Sequence, residues 1–181
     1  MKLNAEQLRD LEPDSVSEQV KKVKRNPIYL ILENVYDTYN IGGLFRLADA
    51  LAVEKLYLCG EMETPPNSRI LKASIGTYKV VPWEYKTSTK EAIHDLRQQK
   101  GEKPISIYAV EQSKDSVNYQ SIPYESPVAL IVGNETYGVL PETMTLVDKT
   151  VEIPMWGINK SLNVIVSAAI VSYWVAGKIV R

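Results

Sequence analysis

The stretch that decides the fold is Ile153-Pro-Met-Trp-Gly-Ile-Asn-Lys-Ser-Leu-Asn-Val-Ile-Val-Ser-Ala-Ala-Ile170, near the end of the 181-residue chain. It reads as the end of a strand, a loop with Pro154 and Gly157, and a helix that begins at Ser161. The helix is almost entirely apolar, which predicts that it is buried. Ser161 and Asn163 therefore stand at the mouth of a buried helix, either as ordinary helix-start residues or as ligand-binding groups.

Upstream of this stretch, short apolar runs alternate with segments of helical periodicity. We expect strands over residues 28–32, 55–58, 78–81, 105–110, 128–132 and 150–153. We expect helices over residues 41–52, 68–74, 89–100 and 141–146. Asn40 and Thr89 are the predicted caps of the first and third of these helices, and Gly101 ends the third. Such alternation predicts an α/β fold with a mostly parallel sheet and helices on both faces.

The composition, 45% hydrophobic and 24% charged, is that of a globular protein. The single cysteine, Cys59, excludes an internal disulfide and a cysteine-based zinc site, and the single histidine, His94, excludes a histidine-rich metal site. We therefore expect no metal. A net charge of −1 gives no overall sign of nucleic-acid binding, so any basic surface must be local.

The chain divides at Pro27 into two predicted parts. Residues 1–26 are polar and charged, and Val16, Val20 and Val23 recur at helical spacing, which predicts a helical extension. Residues 27–181 form the main domain. Because the N-terminus lacks an apolar signal core and the most apolar run is too short to span a bilayer, we expect a cytoplasmic protein with no membrane partner.

Three predicted loops lie at the carboxyl ends of strands, where parallel sheets bind ligands. The first, 33–46, contains Asn40 and Arg46; alone, Asn40 reads as a helix cap and Arg46 as a surface residue. The second follows a strand and reads Gly133-Asn-Glu-Thr-Tyr-Gly138. Its glutamate would repel a phosphate but suits a cation such as an arginine or a sulfonium. The third is the loop 154–163.

Together, these loops resemble one known family. The order Asn40…Arg46, then Gly133-Asn-Glu-Thr-Tyr-Gly138, then Ile153-Pro-Met-x-Gly…Ser161-Leu-Asn-Val164 resembles the SpoU family, also called TrmH, of SPOUT methyltransferases. The resemblance runs from about residue 28 to the C-terminus. It implies an S-adenosylmethionine-dependent enzyme that methylates the ribose 2′-hydroxyl of tRNA or rRNA. We favour tRNA, because the chain lacks a sizeable extra RNA-binding domain.

The resemblance also implies a deep trefoil knot at the C-terminal end and a homodimer whose active site is built from both subunits. In such a dimer, Tyr173 and Trp174 contribute either to the interface or to the core. Two positions depart from the family. Ile165 stands where many relatives have a small polar residue, and Asp49 would restrain Arg46 if the two side chains paired.

The same resemblance implies roles for individual residues. The implied catalytic residues are Arg46, Asn40, Glu135, Ser161 and Asn163. The implied cofactor-binding residues are Leu130, Val132, Gly133, Asn134, Gly138, Ile153, Met155, Ser161 and Leu162. The candidate RNA-binding residues are Arg46, Lys21, Lys22, Lys24, Arg25 and Lys160. Because an arginine pKa exceeds about 12, Arg46 suits phosphate binding and charge stabilisation better than proton abstraction.

Two other functions compete with this prediction. One is a non-catalytic RNA-binding or assembly factor that retains the fold, and the joint presence of the five polar residues argues against it. The other is a general nucleotide-binding α/β enzyme. The chain contains neither G-x-x-x-x-G-K-[ST] nor G-x-G-x-x-G, which argues against that class. His94 lies outside all three loops, and we expect it to have no catalytic role.

Overall fold

The computed structural model describes residues 2–99, 101 and 103–180, and at its centre is a seven-stranded sheet. The strands are β1 (Asn26–Glu33), β2 (Val53–Cys59), β3 (Trp83–Lys86), β4 (Ser106–Val110), β5 (Val117–Asn118), β6 (Val128–Val132) and β7 (Lys149–Glu152). They lie in the order β3-β2-β1-β6-β4-β7-β5, and each pairing between neighbours is parallel. The predicted parallel α/β sheet is confirmed.

Helices cover both faces of this sheet. They are α1 (Ala5–Arg9), α2 (Pro13–Lys22), α3 (Thr38–Ala50), α4 (Ser68–Ser74), α5 (Thr89–Gln98), α6 (Pro141–Met144) and α7 (Val164–Ile179), with a 3₁₀ turn at Thr77–Lys79. Successive side chains of a strand point to opposite faces. Leu30 of β1 accordingly packs with α3 and α7, while its neighbour Ile31 packs with α5. Within the described residues, no helix is long and apolar enough to cross a membrane.

The centre of the sheet is buried on both sides. Ile28–Leu32 of β1 and Val128–Val132 of β6 are buried at every position. Continuous apolar runs of this kind are expected for central strands of a parallel sheet that helices cover on both faces. Because neighbouring strands are parallel, the carboxyl ends of β1, β6, β4 and β7 all lie at one edge of the sheet.

Two predicted helix starts, those of α3 and α7, are each wrong by three residues. Helix α3 begins at Thr38 and is capped by Asp37, whose Oδ1 accepts the N–H of Tyr39 at 2.8 Å, so that Asn40 lies in the first turn. Helix α7 begins at Val164 and is capped by Asn163 rather than Ser161. In both helices, the side-chain oxygen of the observed cap accepts an N–H group of the first turn that has no partner within the helix.

Two further predictions fail around β3 and α5. The expected strand over residues 78–81 is a 3₁₀ turn that begins at Thr77, whose hydroxyl donates to the carbonyl of Ser74 at 2.7 Å; the strand starts only after Pro82. Helix α5 is capped by Ser88, the residue before Thr89, and ends at Gln98. Its predicted last residue, Lys100, lies outside the described residues. Helix α1 and the two-residue strand β5 were not predicted.

The N-terminal segment lies against the turn that follows α4. The ammonium group of Lys79 donates to the carbonyl oxygens of Arg9 at 2.6 Å and Leu11 at 3.1 Å. A Cβ atom at Gly76 would lie 2.7 Å from the backbone of Leu8, so the two segments are in close contact. Gly76 also has a φ of +91°, a conformation that favours glycine.

Truncation of a central strand residue is expected to destabilise the whole domain. Ile31→Ala leaves a cavity beneath α5, and we expect the free energy of unfolding to fall by about 2–5 kcal/mol in urea titrations followed by circular dichroism. The matched control Val23→Ala changes an exposed position and should alter the free energy of unfolding by less than about 0.5 kcal/mol. Equal effects of the two variants would contradict the burial of Ile31.

Candidate active site

A cavity of about 550 Å³ opens at the carboxyl ends of three neighbouring strands. Val110 at the end of β4, Val132 at the end of β6 and Glu152 at the end of β7 all line it. Most of the remaining wall comes from two loops, 133–138 and 153–163, and the rest from Glu111, Gln112 and the start of α7. Ligands of open parallel sheets bind at this edge, so the cavity occupies the position expected of an active site.

Most of the residues predicted to bind a cofactor line this cavity. They are Val132, Gly133, Asn134, Gly138, Ile153, Met155, Ser161 and Leu162. The ninth, Leu130, does not line the cavity. It lies in β6 two residues before Val132, and its side chain is buried in the core. Two loops that are about twenty residues apart in the sequence therefore face each other across one space.

The loop 133–138 is held in a tight turn by Asn134. Its Oδ1 accepts the N–H groups of Thr136 at 2.8 Å and Tyr137 at 3.0 Å, while its Nδ2 donates to the carbonyl of Asn34 at 2.7 Å. A Cβ atom at Gly133 would lie 2.2 Å from the backbone of Gly138, so this close approach requires glycine. The turn leaves the side chain of Glu135 free to point toward α3.

Glu135 is the end of a chain of side-chain hydrogen bonds. Asn163 Nδ2 donates to Asn40 Oδ1 at 3.0 Å, and Asn40 Nδ2 donates to Glu135 Oε1 at 2.9 Å. The backbone N–H groups of Tyr36 and Asp37 donate to the same carboxylate at 3.2 and 3.1 Å. The structure thus brings together three of the predicted catalytic residues, one from each loop.

These contacts determine the ionisation of Glu135. Burial raises its pKa, but hydrogen bonds from Asn40, from its own backbone and from the N–H groups of Tyr36 and Asp37 outweigh burial. The pKa of Glu135 therefore lies below its ordinary value of 4.5, and the side chain is a carboxylate at neutral pH. A fixed negative charge at the edge of the cavity suits a cationic ligand.

Two other predicted catalytic residues have different surroundings. Ser161 is exposed and lines the cavity, and its N–H donates to Asn159 Oδ1 at 3.3 Å. Arg46 lies on the exposed side of α3 and does not line the cavity. No ion pair to Arg46 is present in the described part of the chain. Within one chain, its guanidinium is separate from the network at Glu135.

Asp49 lies near Arg25 and has no ion pair with Arg46 in the described segments. Burial raises the pKa of Asp49, and the positive charge of Arg25 opposes that shift. Arg25 is itself half-buried and donates from Nη2 to the carbonyl of Val80 at 2.7 Å. Burial lowers the pKa of Arg25, and Asp49 and Glu54 counteract this effect. Arg25 is therefore engaged within the fold, which weakens its candidacy as an RNA contact.

The other candidate RNA-binding lysines are exposed. Lys21, Lys22 and Lys24 lie at and after the end of α2, and Lys22 approaches Glu18 at 3.9 Å. Lys160 lies on the rim of the cavity. His94 is exposed on α5 and does not line the cavity, consistent with the expectation that it has no catalytic role.

Three polar lining residues at the ends of β4 and β7 were missed by the sequence analysis. Glu111 and Gln112 follow β4, and Glu152 ends β7. Glu152 accepts a hydrogen bond from Ser116. The sequence feature that could have predicted them is their position at the carboxyl ends of predicted parallel strands. It was not sufficient, because the sequence does not reveal that β4 lies between β6 and β7.

Comparison with known proteins identifies the family. The SpoU rRNA Methylase family matches residues 27–173, most of the chain. The chain belongs to this family. It is 31% identical to the tRNA (guanosine(18)-2′-O)-methyltransferase of Aquifex aeolicus, over 86% of this chain and 71% of that protein. It is 30% identical to the 23S rRNA (guanosine-2′-O-)-methyltransferase RlmB of Neisseria meningitidis, over 84% of this chain and 59% of that protein.

Solved structures give the same result. The AdoMet-bound rRNA methyltransferase of Sinorhizobium meliloti superposes with a TM-score of 0.77 at 27% identity, and the match covers 94% of this chain and 59% of that one. The TrmH/SpoU tRNA modifying enzyme of A. aeolicus superposes with a TM-score of 0.75 at 27% identity, and the match covers 90% of this chain and 83% of that one. The chain is thus shorter than these relatives, and it spans about three fifths of the S. meliloti protein. The predicted family is confirmed.

The lowered pKa of Glu135 predicts how its contribution depends on pH. A carboxylate whose pKa is lower in the folded state stabilises the protein above its ordinary pKa, and this stabilisation is lost as the pH falls through the folded value. Glu135→Gln should therefore lower the free energy of unfolding at pH ~7, with a difference from wild type that shrinks below the ordinary value of 4.5. Urea titrations from pH ~7 to ~3 measure this difference. A difference that stays constant with pH would contradict the hydrogen bonds assigned to Glu135.

Proposed function

We propose that this protein transfers a methyl group from S-adenosylmethionine to the ribose 2′-hydroxyl of an RNA nucleotide. The observation that carries this proposal is the hydrogen-bonded chain Asn163–Asn40–Glu135 at the edge of the cavity. It joins residues from all three family motifs. Family membership and relatives named as tRNA and 23S rRNA 2′-O-methyltransferases support the same activity.

The cavity has the chemistry that S-adenosylmethionine requires. Three carboxylate side chains, from Glu111, Glu135 and Glu152, line it, opposite the single cationic side chain of Lys160. In the described chain, residues 153–162 make no backbone-to-backbone hydrogen bonds. Side chains engage only the carbonyl of Lys160 and the N–H of Ser161, so the other backbone N–H and C=O groups of this described loop are available to an adenine. When bound, the cofactor supplies an electrophilic methyl group on a sulfonium. The eight predicted cofactor-binding residues that line the cavity, from Val132 to Leu162, would hold it.

The residues of the chain have separable roles in this reaction. Methyl transfer is an in-line displacement, so much of the catalysis consists of holding two atoms at attack distance. The network of Asn40 and Asn163 on Glu135 fixes the loops that border the cavity, and Ser161 adds a hydroxyl to its lining. Arg46 binds an RNA phosphate and stabilises the negative charge that develops on the 2′-oxygen as its proton passes to solvent water.

The substrate we propose is tRNA in preference to rRNA, and we place the reaction in the cytoplasm with its RNA. The relative from A. aeolicus named as a tRNA methyltransferase supports the first choice. Lys21, Lys22 and Lys24 provide exposed positive charge at the end of α2, and Lys160 provides it beside the cavity. Phosphate contacts of this kind supply most of the affinity for a nucleic acid.

We also propose that the active enzyme is a homodimer. The loop 153–163 and α7 expose several large apolar side chains: Trp156, Ile158, Leu162, Val166 and Tyr173. Such a patch is typical of an interaction site. In contrast, Trp174 packs within the chain against Tyr119, with ring centroids 5.8 Å apart. Because Arg46 lies outside the cavity of its own chain, we propose that it acts at the cavity of the second copy.

Two structural proposals accompany this function. We propose that residues 27–181 form the methyltransferase domain and that residues 1–26 are a separate helical extension; the family match, which begins at residue 27, supports this boundary. We further propose that the chain around the loops 133–138 and 153–163 forms the deep trefoil knot implied by the family resemblance. The close meeting of these two loops across one cavity supports it.

The activity is tested by incubating the protein with methyl-labelled S-adenosylmethionine and with total tRNA or total rRNA in separate reactions. We expect label in tRNA, on a ribose, after digestion to nucleosides. Label in rRNA alone would overturn the choice of tRNA. If calorimetry detects no binding of S-adenosylmethionine, the proposed function is wrong.

In the same assay, Arg46→Ala is expected to reduce the rate of methyl transfer by at least about 100-fold, because a group that stabilises transition-state charge is lost. The dissociation constant for S-adenosylmethionine should be unchanged, because the proposed contacts of Arg46 are with the RNA and not with the cofactor. The matched control Arg69→Ala changes another exposed arginine, at the start of α4. Retained turnover in Arg46→Ala would exclude the proposed role.

Mixed dimers test whether Arg46 acts across subunits. The variants Arg46→Ala and Ser161→Trp should each be inactive alone. In Ser161→Trp, the larger side chain is intended to fill the cavity. If Arg46 serves the partner's cavity, each mixed dimer regains one intact site, so co-expressed chains should recover about one quarter of wild-type activity. The two chains carry different affinity tags, so that mixed dimers are isolated directly. Inactive mixed dimers would contradict the arrangement.

A further inference from the structure

A single hydrogen bond connects the cofactor loop to the end of β4. Gln112 Nε2 donates to the carbonyl oxygen of Lys160 at 2.7 Å. Among the described residues, this is the one hydrogen bond that residues 154–162 make to a different segment, since the other, from Ser161 to Asn159, is local. The loop that forms one wall of the cavity is therefore tied to the sheet at one point between β7 and Asn163.

The position of Gln112 is itself fixed by its neighbour Glu111. The N–H of Glu111 donates to the carbonyl of Val151 at 3.0 Å, which continues the pairing of β4 with β7. Its carboxylate accepts the N–H groups of Gln112 at 2.8 Å and Val139 at 2.9 Å. A Cβ atom at Gly138 would lie 2.1 Å from this carboxylate, so the glycine loop packs directly on it. The backbone at Gln112 is thus anchored to the opposite wall of the cavity.

We propose that Gln112 is a positioning residue that sets the affinity for the methyl donor by holding the loop 153–163 at a fixed distance from the loop 133–138. This inference rests on the proposed function. A loop with no backbone hydrogen bonds must lose conformational entropy when it closes around a ligand, and a bond made beforehand removes part of that cost. The amide is required, because a carboxylate at this position would face the carbonyl oxygen of Lys160.

The test uses full-length Gln112→Met, which keeps the length of the side chain but has no donor, and Gln112→Glu, which replaces the donor with a charge. One hydrogen bond corresponds to about a 3- to 10-fold change in an equilibrium constant. Calorimetry should therefore give a dissociation constant for S-adenosylmethionine about 3- to 10-fold higher in Gln112→Met, and at least as high in Gln112→Glu. Gln98→Met, at an exposed position of α5, is the matched control and should bind like the wild type.

Two further measurements separate positioning from general destabilisation. Without any cofactor, limited proteolysis should cut the loop 155–162 faster in Gln112→Met, whereas hydrogen exchange of the amides of β1 and β6 should be unchanged. In the methyl-transfer assay, the KM for S-adenosylmethionine should rise while kcat and the KM for RNA stay unchanged. A loss of kcat with an unchanged cofactor KM would overturn the proposal, as would faster exchange across the whole sheet.

Failure of this inference can be distinguished from failure of the proposed function. If the wild type binds S-adenosylmethionine and Gln112→Met binds it equally well, only the role of Gln112 is wrong. If the wild type does not bind it at all, the proposed function is wrong and the inference fails with it.

Discussion

The hydrogen bonds from Asn163 through Asn40 to Glu135 are the interaction on which the site depends. They connect residues that are 123 and 95 positions apart in the chain. Each of the three stands in a loop or at the start of a helix at the carboxyl edge of the sheet. Because buried or half-buried amides and carboxylates must be satisfied, the three loops are held in one mutual arrangement.

The sheet makes this arrangement possible. In a parallel sheet every strand ends at the same edge, so loops that are distant in sequence become neighbours when their strands are adjacent. The order β1-β6-β4-β7 lines up the loops that follow those strands. Burial of β1 and β6 on both faces fixes their register, since a slip of one residue would exchange the side chains that face α3 for those that face α5.

Periodicity predicted the strands of the sheet centre with errors of one or two residues at their ends, because uninterrupted apolar runs such as Val128–Val132 have few alternatives. The helix starts were less predictable. Asp37 and Asn40 are both good caps, and only the three-dimensional contacts of Asn40 with Glu135 determine which one lies inside α3. The strand order was not predictable from one sequence, which is why Glu111, Gln112 and Glu152 were missed. The resemblance pointed to Asn40, Glu135 and Asn163, which the structure joins by hydrogen bonds, and to Arg46, which lies outside the cavity of its own chain.

Asparagine is the residue that combines a local contact with a contact between loops in this site. A side-chain amide both accepts and donates, so one residue can make two contacts of opposite polarity. Asn163 Oδ1 caps α7 by accepting the N–H of Ile165 at 2.8 Å, while its Nδ2 donates to Asn40. Asn134 likewise closes the glycine loop with its oxygen and reaches the backbone of Asn34 with its nitrogen. An aspartate in either position would still close the turn or cap the helix, but it would lose the donor that joins one loop to the next. In both asparagines, the amide oxygen therefore makes the local contact that closes a turn or caps a helix, and the amide nitrogen makes the contact that joins two loops.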